Sequence, residues 1–236
     1  MSNPSFRFKQ FSVRHEKSAM KVGTDGVMLG AWVNIGDANR VLDIGTGTGL
    51  IALMLAQRCN AKIDAVEIDE SSAQQAKDNF ANSKWSNRIN LFCSSFQHFA
   101  KESNEKYNLI VSNPPYFVKS LKSPEVARAV ARHNELLPHD ELIEGINTLL
   151  TEDGRFAGIF PYIEGNVFVA KASNYGLFCT KRVNVLGKVN GPVKRLLLEF
   201  ERKPKALVED TLCIRGDNSE YTAEYIELTK NFYLAF

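Results

Sequence analysis

A short apolar run, Val41-Leu42-Asp43-Ile44, passes straight into Gly45-Thr46-Gly47-Thr48-Gly49-Leu50 and then into an apolar stretch that ends at Arg58. The first run suits a buried strand and residues 49–58 suit a helix, so the glycines must make the turn between them. Glycine at alternate positions lets the backbone turn tightly and lets a ligand lie directly on the main chain where the helix begins. A strand, a glycine turn and a helix in that order open an α/β unit, whose strand stays unburied unless the chain repeats the pattern. A dinucleotide fingerprint would need glycine at position 50, where this chain has Leu50, and that weakens a nicotinamide or flavin reading.

The chain does repeat the pattern. Strands are expected near residues 41–44, 63–67, 89–93, 107–112, 155–160, 178–186 and 195–201, with helices near 49–58, 71–82, 139–150, 165–175 and 220–232. No helical stretch separates the last two strands, so they should pair antiparallel. The expected fold is α/β, a seven-stranded mixed sheet with helices on both faces. With 236 residues and 44% hydrophobic composition the chain can bury one full core. Residues 1–39 are expected as an N-terminal lid or preamble packed on a catalytic domain at 40–236, the whole forming a single structural domain. Within the preamble, Phe8 and Phe11 mark an extended opening and Thr24-Asp25-Gly26 a helix start.

The formal charge of +2 selects no partner, but its distribution is informative. Residues 155–205 carry ten basic side chains against three acidic ones, and residues 206–236 carry six acidic against two basic. A basic segment beside an acidic one is either ordinary solvated surface or a face for a polyanion. Cys59, Cys93, Cys179 and Cys213 lack the spacing of a metal site or a disulfide framework; they are expected as small core residues, and no metal is expected. No targeting segment and no bilayer-length apolar stretch is visible, so the expected place is the cytoplasm, with no membrane partner.

Two further stretches stand where such a sheet would place chemistry. Glu67 ends the second strand in Ala65-Val66-Glu67-Ile68-Asp69, where a carboxylate can accept from both hydroxyls of a ribose, while Asp69 is better placed to cap the next helix. After Leu109-Ile110-Val111 comes Ser112-Asn113-Pro114-Pro115-Tyr116-Phe117. Two prolines have fixed φ and no N–H, so the segment is stiff and presents acceptors. The side-chain carbonyl of Asn113 and the main chain of Pro114 can take both hydrogens of one planar NH2 group, with Tyr116 as a flat face on which a base could stack. Taken alone, the same residues could simply close a strand as a turn. Their order is what favours chemistry: glycine turn after the first strand, acid after the second, acceptor pair after the fourth. The polar segment that follows, residues 117–138, carries Lys119, Arg128 and Arg132 and is expected to touch substrate.

The glycine turn preceded by Asp43 resembles the first motif of S-adenosylmethionine methyltransferases. Asn113-Pro114-Pro115-Tyr116 resembles the motif of those that methylate a planar amino group: adenine N6, guanine N2 or a glutamine amide. Together with Phe8-Lys9-Gln10-Phe11, Lys21-Val22-Gly23-Thr24-Asp25-Gly26, Leu29-Gly30-Ala31-Trp32 and Tyr221-Thr222-Ala223-Glu224-Tyr225, nearly the entire chain resembles the bacterial tRNA1(Val) adenine N6-methyltransferase family. The resemblance implies a Rossmann-like class I methyltransferase fold and S-adenosylmethionine as cofactor. It also implies a tRNA substrate whose anticodon-loop adenosine, just 3′ of the anticodon, becomes N6-methyladenosine.

Cofactor contacts are then expected at Asp43, Gly45, Gly47, Gly49, Glu67 and Asn113, and by the family pattern at Lys21, Thr24 and Asp25. Ser95 stands where methyltransferases of this class usually have an Asp for the adenine amino group, and Phe96 is placed either to cover that ring or to fill core. Catalysis would rest on Asn113, Pro114 and Tyr116, and RNA contacts on Lys119, Arg128, Arg132, Lys194 and Arg195; no stable protein partner is implied. The release-factor glutamine enzymes share the acceptor motif but carry a separate helical domain that a preamble this short cannot supply. The same motifs would also suit a guanine-N2 enzyme of ribosomal RNA, or a non-catalytic protein that binds the cofactor or RNA.

Overall fold

A computed structural model of the protein describes residues 4–18, 21–114 and 137–236. A small antiparallel hairpin, β1 (Ser5–Arg7) and β2 (Ser12–Arg14), and helix α1 (Thr24–Trp32) precede the glycine-turn unit. Strand and helix then alternate: β3 (Arg40–Ile44), α2 (Leu50–Arg58), β4 (Lys62–Glu67), α3 (Glu70–Ala81), β5 (Ile89–Cys93), α4 (Phe96–Glu102) and β6 (Tyr107–Ser112). The remainder comprises α5 (His139–Leu149), β7 (Leu150–Pro161), α6 (Tyr162–Asn174), β8 (Phe178–Leu186), β9 (Val193–Glu201), β10 (Val208–Cys213) and α7 (Ala223–Thr229).

The main sheet runs β10-β8-β9-β7-β6-β3-β4-β5, with β9 antiparallel to both neighbours and every other pair parallel. It is the expected mixed Rossmann-like sheet with helices on both faces, but with eight strands rather than seven. The eighth, β10, escapes sequence reading because its first four residues are exposed and show no apolar alternation. Its place on the edge comes only from backbone pairing with β8, from Val208 opposite Lys181 to Cys213 opposite Leu186.

Alternation along the strands divides the core. Val41, Ile63, Leu109, Ala157 and Leu197 face one side of the sheet, where α1, α2 and α7 cover them. Leu42, Val66, Ile110, Phe156 and Leu198 face the other, beneath α4, α5 and α6. The central parallel strands β3, β4 and β6 are buried on both faces, which explains their largely apolar runs.

The preamble joins the first of these cores through Phe8, Phe11, Val27 and Leu29. Its helix approaches α2 closely at Gly30, where an added Cβ would lie 2.8 Å from the sulfur of Met54. Helix α4 is a further element that the sequence pattern does not predict, although Phe96, Phe99 and Ala100 carry its buried face. The four cysteines are free and none lies in the core as expected: Cys93 is exposed and the other three are half-buried. No helix among the described residues is long and apolar enough to cross a membrane.

Candidate cofactor and substrate site

Strands β3, β4 and β5 progress in one direction across the sheet, and β6 returns to the other side of β3. That reversal opens a crevice at the carboxyl ends of β3 and β6, the place where open α/β sheets bind ligands. Register puts the predicted residues there. Ile44 pairs with both Val66 and Ser112, and Glu67 pairs with Cys93. Gly45, Glu67 and Asn113 therefore leave three neighbouring strands at one level. Ser112, fully buried, donates its hydroxyl to the carbonyl of Ile44 at 3.0 Å and ties β6 to β3 at the crevice floor.

The glycine turn adopts left-handed backbone at Gly45 (φ 67°), Gly47 (φ 57°) and Gly49 (φ 82°), a region that a side chain would strain. At Gly49 there is no room either, since a Cβ would come within 2.3 Å of the Phe80 ring. At Gly45 and Gly47 a Cβ would meet nothing within 4 Å, so open space lies above the main chain there.

Acidic side chains hold the turn. The amide of Gly47 donates to Glu67 Oε2 at 2.8 Å, and that of Asp69 to Glu67 Oε1 at 2.9 Å. Glu67 thus fastens the turn with both oxygens, and a ribose diol would use the lone pairs that remain. Asp69 caps α3 as expected, accepting from the Ser72 amide at 2.8 Å.

Beneath the turn Asp43 is fully buried. Its Oδ2 accepts from the Thr46 hydroxyl at 2.6 Å and the Ala52 amide at 3.1 Å, while Oδ1 has no donor. Burial pushes its carboxyl up to about 7, held back by the Thr46 and Ala52 donors and reinforced by the nearby Glu67 charge.

Other predicted residues take different places. Ser95 is the N-cap of α4, its hydroxyl accepting from the His98 amide at 3.2 Å. The Phe96 ring lies in the core against Gly145, where a Cβ would come within 2.4 Å of it; of its two expected places it takes the interior one. Lys21 and Thr24 are exposed at the start of α1.

Asp25 pairs with Arg195 at 2.7 Å, joining α1 to β9. The guanidinium expected to hold RNA phosphate is thereby engaged with an acid from the preamble. Asn113 is half-buried and Pro114 buried. Tyr116, Lys119, Arg128 and Arg132 lie outside the described residues.

Three positions that sequence reasoning passed over also shape the site. Thr46 and Ser112 act as described above. Asn79, from α3, donates to the carbonyls of Thr48 and Arg14 and accepts from the Arg14 amide, so it clasps the glycine turn to the N-terminal hairpin. Only its position within α3, on the face that turns to the sheet, could have signalled it.

An orphaned buried oxygen beside the turn, open space over two glycines and a carboxylate at the next strand end together suit S-adenosylmethionine. Gly45 and Gly47 would carry its amino-acid end, and Glu67 its ribose.

Comparisons with known proteins point to a methyltransferase. A family model described as Methyltransferase small domain matches residues 22–154. The chain is 47% identical over 235 residues to the tRNA1(Val) (adenine(37)-N6)-methyltransferase of Bacteroides fragilis, covering 99% of each chain. It is 45% identical over 239 residues to the protein of the same name from Trichodesmium erythraeum, covering 100% of both. Among solved structures it is similar to a predicted O-methyltransferase from Agrobacterium tumefaciens, with TM-score 0.70 and 15% identity over 88% of this chain and 96% of that one. It is also similar to the glycopeptide N-methyltransferase MtfA complexed with S-adenosylmethionine, with TM-score 0.57 and 12% identity over 78% of this chain and 100% of that one. At such identities the two structures speak for the fold alone.

Proposed function

The chain belongs to the tRNA1(Val) (adenine(37)-N6)-methyltransferase family, and from that premise we propose how it methylates N6 of the adenosine just 3′ of the anticodon in a valine tRNA. One observation supports carrying the reading to named residues: Gly45 and Asn113 leave adjacent strands at the same level of the crevice. A methyl donor on the glycine turn and an amino group on Asn113 would be neighbours.

The exocyclic nitrogen of adenine is a poor nucleophile because its lone pair is conjugated with the ring. The side-chain carbonyl of Asn113 and the main-chain carbonyl of Pro114 accept its two N–H groups. This favours a pyramidal nitrogen whose lone pair points toward the glycine turn. S-adenosylmethionine supplies a methyl already activated on a sulfonium, so the protein's part is positioning and electrostatic orientation, with no metal and no covalent nucleophile.

The target base must leave its stack to reach the crevice, and Tyr116 replaces the lost stacking. Lys21, Thr24 and Asp25 border the cofactor from the preamble, which acts as a lid on residues 40–236. The cytoplasm, where tRNA is met, is the setting that this reading implies.

Transfer of labelled methyl from S-adenosylmethionine to total tRNA lacking the modification, followed by nucleoside analysis, tests the reading. N6-methyladenosine confined to one valine tRNA is the expected product. Label in N2-methylguanosine of ribosomal RNA or in a protein glutamine would move the enzyme to a sibling activity, and no transfer with cofactor still bound would favour a binding protein. Asn113→Ala should lower turnover by about 10²–10³-fold, far more than it lowers cofactor affinity; near-normal turnover would sink the acceptor pair.

A further inference from the structure

Six of the ten basic residues in the segment that suited either a solvated surface or a polyanion face are paired with acids in three dimensions. Lys171 pairs with Asp140, Lys181 with Glu199, Arg182 with Glu209, Arg195 with Asp25, Lys203 with Asp153 and Lys205 with Glu201. Arg202 spends its donors on the Asn147 and Leu150 carbonyls and the Asn147 side chain. These partners hold the segment to the fold and offset part of its positive charge.

Lys188 and Lys194 differ. Both are exposed, and neither ammonium forms an ion pair with any described residue. They line one cavity of about 570 Å³ between the β8–β9 turn and the segment after β10, together with Arg215, Gly191, Gly216 and Asp217. Arg215 is held in place from both sides: its guanidinium sits 4.1 Å over the Tyr221 ring and donates to the Ser219 carbonyl. Three basic residues thus line the cavity beside one lining acid, Asp217, with the Glu220 carboxylate over Gly216.

The position of the cavity matters as much as its charge. Strands β8 and β10 run parallel to each other, β9 runs antiparallel to β8 and to β7, and β7 runs parallel to β6. The end of β8, the start of β9 and the end of β10 therefore lie on the same edge of the sheet as Asn113. In the order β6-β7-β9-β8-β10, the cavity's lining residues stand two to four strands away, roughly 10–19 Å across the sheet at about 4.8 Å per strand. A nucleic-acid strand with its target base at Asn113 could reach it within a few nucleotides.

We propose that the Lys188–Lys194–Arg215 cavity is a phosphate subsite that grips the tRNA backbone a few nucleotides from the methylated adenosine. The proposal rests on the tRNA reading given above and adds to it a fixed anchoring point. Phosphate contacts set register and orientation without reading sequence, so the cavity would place the anticodon loop while the crevice selects the base.

The test compares wild type with Lys188→Gln/Lys194→Gln and with Lys62→Gln, a control at the opposite edge of the sheet, in tRNA binding across a salt series. Cofactor affinity by calorimetry serves as the check on folding. The double variant should bind tRNA about tenfold or more weakly, with a log K against log salt slope shallower by roughly 1.5–2, at unchanged cofactor affinity; the control should match wild type. Asp217→Asn, which removes a repulsion from the same cavity, should tighten binding and serves as the second arm if the double variant misfolds. Wild-type affinity and slope in the double variant, or no gain from Asp217→Asn, overturns the subsite while leaving the tRNA reading intact. Wild-type protein that binds no tRNA overturns that reading and the subsite with it.

Discussion

Asp43 shows how a single side chain can combine structural use with electrostatic cost. It organises the glycine turn through Thr46 and Ala52, yet its burial favours the protonated form, with the carboxyl pushed from 3.8 to about 7. Between those two values the folded protein binds more protons at this residue than the unfolded chain. The contribution of Asp43 to stability therefore falls as pH rises through that window and is lost above it. Urea denaturation from pH 5 to 8 should show this fall in wild type and a flatter profile in Asp43→Asn, the two differing by a few kcal/mol near neutrality; parallel profiles would remove the proton from Asp43. The acid and the glycines around it were legible in the sequence because both answer local demands, a left-handed turn and a strand end. The fastening of the turn by Glu67 was not, since a carboxylate at a strand end looks the same whether it accepts from a ligand or from the backbone.

Helix α3 illustrates what an element contributes beyond its own stability. Its buried face carries Asn79 and Gln75, whose side chains bond the main chain of the N-terminal segment at Arg14 and Lys17. The same Asn79 reaches the Thr48 carbonyl, so one helix joins the preamble to the cofactor turn. Asn79→Ala leaves these backbone groups without their partner and should cost about 1–3 kcal/mol. Hydrogen exchange should quicken at Arg14 and in α2, whose start the turn sets; exchange changed at neither place would mean that the clasp carries no load. The long, apolar elements were readable from periodicity. The short hairpin, α4 and β10 were not, because each takes its stability from neighbours rather than from its own pattern.

At the scale of the whole molecule, the segment around Lys9 meets the C-terminal segment. The Lys9 amide donates to the Phe232 carbonyl at 2.8 Å, and the Lys9 ammonium reaches the carbonyls of Lys230 and Phe236. Phe8 stacks on Phe11 and Tyr233, while buried Phe232 completes the same core. Phe232→Ala should cost about 3–5 kcal/mol and lower Tm by roughly 10 °C. An unchanged Tm would show that the C-terminal segment does not hold the preamble in place.

By itself the sequence determined the α/β alternation, the glycine turn, the acid after the second strand and the acceptor pair after the fourth, because each is a local requirement of backbone geometry or periodicity. Only the tertiary structure decided which charges remain available. Asp25 and Arg195 stand 170 positions apart, and no local pattern announces that they will cancel. Lys188 and Lys194 lie within the same basic segment, but neither forms an ion pair with any described residue, and their exposure on the Asn113 edge is a property of the fold.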